Sequence, residues 1–247
     1  EGTAGILNII LRQESTLGIN GSVRVHAGDP KNAGISTNLN IRTAKYNIFN
    51  SSGFNYRTSK GRNYSKNQYL DENRDRPYAN EFGRSQRWGR GFNTNLGMEY
   101  FINDQSSIVV SGFGRFGNMT NRSGNITKEY DDALVQQIER SRTDEKRNKN
   151  NNLQLSVNYD NRLDDEGQKL TADFQIDRSK RDGRSFIEEY NTLPSHVVLP
   201  GEYNSDLRTR TGILGQIDYV LPMGTKQFEV GYRADLSDSK TDYVVEE

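Results

Sequence analysis

The 247-residue chain contains no cysteine, five prolines, two histidines and one tryptophan. Without cysteine a disulfide scaffold is excluded, and thiolate zinc or iron–sulfur sites have no ligands. His26 and His196 lie far apart in sequence and form no ligand pair. Nowhere do about 18 apolar residues run together, so no membrane-spanning helix is encoded. Hydrophobic residues make up only 32%, fewer than a soluble globule of this length usually carries. Neither sign of charge dominates, with 33 basic and 33 acidic residues, so no bulk field points to nucleic acid. No nucleophile elbow, zinc-binding helix motif or phosphate loop is present. The chain is therefore read as a non-enzyme without a cofactor. The composition also argues against disorder, because 13 Tyr and 10 Phe are regularly spaced.

What the chain does have is alternation. Ile19, Gly21, Val23, Val25 and Ala27 alternate with Asn20, Ser22, Arg24 and His26. The same period of two recurs around residues 35–41, 46–56, 92–100, 108–116, 153–159, 170–176, 213–219 and 228–236. That predicts nine strands of roughly ten residues each. The polar partners include Arg24, Arg42, Arg57, Glu99, Arg115, Asp173, Asp177 and Asp218. Against lipid, an Arg or Lys at mid-depth costs about 2–4 kcal/mol. Facing a wet lumen, such residues cost little and pair across strands.

The connections are expected to alternate in length. Turn formers such as Asn103-Asp104, Asp164-Asp165-Glu166-Gly167 and Pro222-Met223-Gly224 mark short ones. Long ones are expected over 59–90, 118–151 and 178–209. Tyr46, Tyr100, Tyr159 and Tyr219 lie beside short turns, while Phe54, Tyr56, Phe92 and Phe116 lie at the other strand ends. Tight inner turns, long outer loops and two aromatic girdles describe a barrel in a membrane. The expected fold is thus all-β, an antiparallel up-and-down transmembrane β-barrel wall whose direct partner is outer-membrane lipid. The competing reading is a soluble antiparallel sheet with its apolar face buried.

Residues 1–12, EGTAGILNIILR, resemble the end of the plug domain of TonB-dependent outer-membrane receptors. Gly18-Ile-Asn-Gly-Ser-Val resembles the first barrel strand that follows it. The wording looks most like the Bacteroidota-type outer-membrane β-barrel group. The resemblance divides the chain into a plug end, 1–16, and a partial barrel, 17–247. It makes Gly2, Gly5 and Asn8 the plug-exit motif. It also implies a 22-stranded barrel blocked by a plug, TonB as partner through the rest of that plug, and import of a siderophore, glycan or peptide. A SusD-like lipoprotein is a further partner by the same analogy. A structural, partner-binding barrel and a passive porin are the alternatives.

The stretch 59–90 is basic and aromatic, with eight Lys and Arg against four Asp and Glu. Arg74, Arg76, Tyr78 and Trp88 there, and Tyr190 in 178–209, are the candidate ligand-binding residues, through guanidinium forks and ring stacking. Glu129, Asp131 and Asp132 invite a Ca²⁺ reading, but their spacing is irregular and a solvated loop is the plainer expectation. No metal site is expected. Residues 133–138 have the apolar spacing of a short helix.

Overall fold

A computed structural model of the chain describes residues 17–71 and 73–246. The plug-exit motif of Gly2, Gly5 and Asn8 lies outside the described residues. The elements run β1 Gly18–Gly28, β2 Asn32–Arg42, β3 Tyr46–Gln68, β4 Tyr78–Phe101, β5 Ser106–Tyr130, β6 Gln136–Arg162 and β7 Lys169–Leu193. The two-residue β8 Val197–Val198, then β9 Glu202–Met223 and β10 Lys226–Glu246, complete the set. They form one antiparallel sheet in which each long strand pairs with the next, and β8 pairs only with β7. Among the described residues, β1 and β10 each have one neighbour, so the wall is not closed. Nine long strands alternating in direction leave β1 and β10 parallel to each other.

Register explains why this sequence makes a wall and not a sandwich. Tyr46 sits opposite Tyr100, Tyr100 opposite Ile108 and Ile108 opposite Tyr159. Further up, Leu96 faces Gly112, Gly112 faces Leu155, and Leu155 faces Ile176. Phe54, Phe92 and Phe116 then form a second aromatic row, with the Phe92 and Phe116 rings stacked at 6.3 Å. All these residues share one face, because side chains alternate along a strand. From Tyr100 to Phe92 the chain covers about 27 Å, or ~20 Å of depth at a tilt of ~40°. That matches an apolar band between two girdles.

This face is open. Leu96 is 56% exposed and Phe174 47%, while Ala79 is the one buried hydrophobic residue among those described. Among the described residues no apolar layer covers the Leu, Ile and Tyr rows. Asn50, Ser52 and Thr94, polar groups on the band, find hydrogen-bond partners, as lipid favours. Ser52 Oγ and Thr94 Oγ1 lie 2.8 Å apart, and Asn50 Nδ2 donates to the Asn95 carbonyl at 3.2 Å. The opposite face carries polar pairs across strands. Asn158 Nδ2 donates to Asp173 Oδ1 at 2.5 Å, Ser111 and Ser156 hydroxyls meet at 2.8 Å, and Gln154 bonds Gln175 at 3.1 Å.

The short turns fall where turn chemistry predicts. Asp164 Oδ1 accepts from the Glu166 and Gln168 amides, and Asn103 Oδ1 from those of Gln105 and Ser106. The long connections differ from expectation. Of 59–90, only 69–77 lies outside strands, and of 118–151 only 131–135. In 178–209 the break spans 194–201, with β8 inside it. β3 to β7 and β9 therefore run 22 to 27 residues, well beyond one membrane crossing. The helix expected at 133–138 is a turn whose Leu134 takes φ 60, followed by the start of β6. Backbone pairing with both neighbours holds these stretches extended after the apolar contrast is gone.

Candidate functional site

From Phe116 to Tyr130 β5 continues for about 45 Å beyond the outer aromatic row. The side opposite the apolar face carries a groove there. Arg57, Arg87 and Arg115 line a cavity of about 850 Å³. Gly89, Gly91 and Gly117 contribute to the same lining, and no carboxylate does. Register brings these groups together. Arg57 sits opposite Gly89, Arg87 opposite Ser59, Asn55 opposite Gly91, and Gly91 opposite Gly117. Arg57 and Arg87 thus lie beside a residue with little or no side chain, while Arg115 lies between Asn93 and Asn152. A Cβ added at Gly117 would meet nothing within 4 Å, so the floor there is open. Among the described residues none of the three arginines joins an ion pair. Exposed guanidinium forks without carboxylate partners suit carboxylate, phosphate or sulfate groups.

The sequence-predicted candidates fall at three separate places. Arg74 lies over the Tyr69 ring at 3.6 Å and donates through Nε to the Arg76 carbonyl at 2.9 Å. Arg76 Nε donates to Glu129 Oε2 at 2.8 Å, and Tyr78 stands opposite Tyr130. These three residues cap the β3–β4–β5 end together. Trp88 is some 34 Å down β4 from Tyr78. It lies on the apolar face, opposite Thr58 and Thr120, one step above Tyr56 and Arg90. It therefore stands on the face opposite the arginine groove, four residues above Phe92 of the outer aromatic row. Tyr190 belongs to β7, where its ring stacks on His196 at 5.8 Å.

Ion pairs fix the outer half of the sheet. Glu189 on β7 accepts from Arg140 at 3.2 Å and Arg142 at 3.3 Å, both on β6. Glu145 accepts from Arg122 and, at 2.6 Å, from Arg147. Those two bonds, Arg122 first, hold the Glu145 carboxyl below the usual carboxylate range. Gln136 and then Lys128 do the same for Glu139. Two of the three acids considered for Ca²⁺ have other work: Glu129 is paired with Arg76, and Asp131 accepts from the Val135 amide at 2.9 Å and from Gln137 at 2.6 Å.

An open antiparallel wall with an apolar band, two aromatic rows and a polar opposite face defines a transmembrane β-barrel protein. Residues 161–247 match the family described as "Outer membrane protein beta-barrel family". No curated protein matches the chain. The match places the chain in the outer membrane. It spans the last two residues of β6 and all of β7 to β10, whereas the arginine groove lies in β3 to β6.

Proposed function

We propose that the chain forms part of the wall of a TonB-dependent outer-membrane receptor that imports a scarce nutrient, a siderophore, glycan or peptide. Bond-making chemistry has no part in this reading. Open sheet edges leave backbone groups unpaired in lipid, so the barrel is closed by further strands, to 22 by resemblance to that family. A wall of that width needs a plug to stay sealed. The observation that carries the reading is the groove of Arg57, Arg87 and Arg115 on the lumen face, at the level of the outer aromatic row. It offers unpaired cations to an anionic group of a ligand descending from the outer strands.

The test uses the full-length protein in cells. Removing the plug's TonB-contacting segment abolishes uptake and leaves ligand binding intact; uptake that persists overturns the import reading. Gly117→Glu, whose Cβ meets nothing within 4 Å, brings a carboxylate to the groove and weakens ligand retention.

A second reading, a barrel that scaffolds partners, is favoured by apolar tips on the outer connections. Leu70, Leu134 and Val198 are 87%, 65% and 72% exposed. A SusD-like lipoprotein is one such partner. This reading predicts a fixed partner that copurifies and no uptake phenotype. A passive porin instead predicts constant conductance in planar bilayers.

A further inference from the structure

On the polar face, two rows run across all nine long strands without an acid. One lies a residue below the Phe54–Phe92–Phe116 row. Register carries it from Arg24 of β1 through Asn93, Arg115 and Asn152 to Arg210 of β9 and Ser239 of β10. The other lies a residue above. It passes through Asn55, Gly91, Gly117 and Asn150 to Arg181 and Arg208. All five arginines are exposed. Among the described residues only Arg208 of the five joins an ion pair, with Asp206 at 4.0 Å. Arg181 stands directly opposite Arg208, and like charges so placed repel unless an anion lies between them. The next three rows inward bring in Asp177, Asp235, Glu99 and Asp173, alongside Arg42 and Arg233. The acids of the lumen face thus begin where the arginine belt ends.

We infer that this belt binds an acidic oligosaccharide whose carboxylates or sulfates recur along an extended chain. The inference names the ligand class of the lumen site and rests on the import reading only in taking the lumen as the ligand's path. Arg24 and Arg115 are four strand spacings apart, and Arg115 and Arg210 three, about 19 and 14 Å across the sheet. A compact anion reaches one of them, whereas a chain with repeated anionic groups reaches several. Guanidinium forks suit either kind of anion. Between the cations stand amides, each a donor and an acceptor as a sugar hydroxyl is. Gly91 and Gly117 leave bare backbone between Asn55 and Asn150, and a Cβ at Gly117 would meet nothing within 4 Å. A sugar ring can approach the strands closely there. A peptide would also bring an ammonium group and apolar side chains, and neither row offers an acid or an apolar side chain to them.

The test is titration calorimetry of the full-length protein in detergent with hexagalacturonate and, in a second arm, a sulfated galactan hexasaccharide. At least one is expected to bind, the first marking carboxylate and the second sulfate as the group recognised. Each guanidinium removed is expected to weaken binding about tenfold, so Arg181→Gln with Arg208→Gln lowers it about a hundredfold. The same pair of substitutions relieves a like-charge contact, so the gel-mobility shift that reports a folded barrel is retained. Methyl-esterified hexagalacturonate and unsulfated galactan are expected to bind the wild-type protein no better than their acidic counterparts bind the double variant. Binding of neither acidic probe overturns the inference. So does equal binding of the uncharged probes, unchanged affinity in the folded double variant, or tighter binding of hexa-aspartate. Because the readout is binding, acidic oligosaccharide that binds without being imported overturns the import reading alone.

Discussion

Below the Phe54–Phe92–Phe116 row, one face of the sheet is apolar and the other polar. Above it, the same strands continue in the same register, but both faces are wet. On β4 the lower half reads Phe92, Thr94, Leu96, Met98, Tyr100 against Asn93, Asn95, Gly97, Glu99, while the upper half reads Arg84, Gln86, Trp88, Arg90 against Ser85, Arg87, Gly89. Hydrogen bonding to both neighbours is the same in the two halves. What differs is the solvent on one side. Alternation thus reports the membrane, and backbone pairing reports the strand.

The sharpest way to break this comparison is to put the same charge in both halves. Leu96→Arg lies midway between the two aromatic rows and costs about 2–4 kcal/mol. Thr120→Arg, outward above the upper row, stays within about 0.5 kcal/mol. Guanidinium unfolding of the intact protein from lipid vesicles measures both; equal costs would remove the distinction. Next in size is the upper girdle itself. A double-mutant cycle of Phe92→Ala and Phe116→Ala yields a coupling of about 0.5–1.5 kcal/mol from the stacked rings. Smallest is the ionic lattice of the outer half. A cycle between Arg122→Ala and Glu145→Ala gives about 0.2–1 kcal/mol, reduced by added salt. The Glu145 carboxyl is held below its ordinary value. Its contribution is therefore present above the unfolded-state value and is lost as pH falls through the lowered folded one. A coupling that grows on acidification would contradict the assignment.

The lower half was legible because lipid imposes the contrast. Leu153, Leu155, Val157 and Tyr159 against Gln154, Ser156 and Asn158 identify a strand without neighbours. Lys60, Arg62 and Tyr64 against Gly61, Asn63 and Ser65 carry no such contrast, so 59–68 reads as loop although it is strand. The same holds for 136–151 and 178–193. Val197–Val198 is too short to show any period. The candidate site was legible only in part. Arg57 and Arg115 are marked as lumen residues by alternation, but Arg87 falls in a stretch without it. Their meeting over the glycines depends on the register of three strands, which local sequence does not encode. Arg76 finds Glu129 across 53 residues for the same reason. Trp88 shows the converse, since an isolated aromatic among arginines reads as a ligand contact until the register puts it on the membrane side.

The central claim is that one face of each strand touches acyl chains below the upper aromatic row and water above it. The 247 residues contain no cysteine, so a single-cysteine spin-label scan along β4 from residue 82 to residue 100, in the intact protein in vesicles with any cysteine elsewhere replaced, reads only the introduced positions. The account predicts oxygen accessibility at 92, 94, 96, 98 and 100, water-soluble relaxant accessibility at the positions between, and no alternation from 90 downward in number. Oxygen accessibility on the Asn93, Asn95 and Glu99 side, or none at Leu96 and Met98, would contradict it.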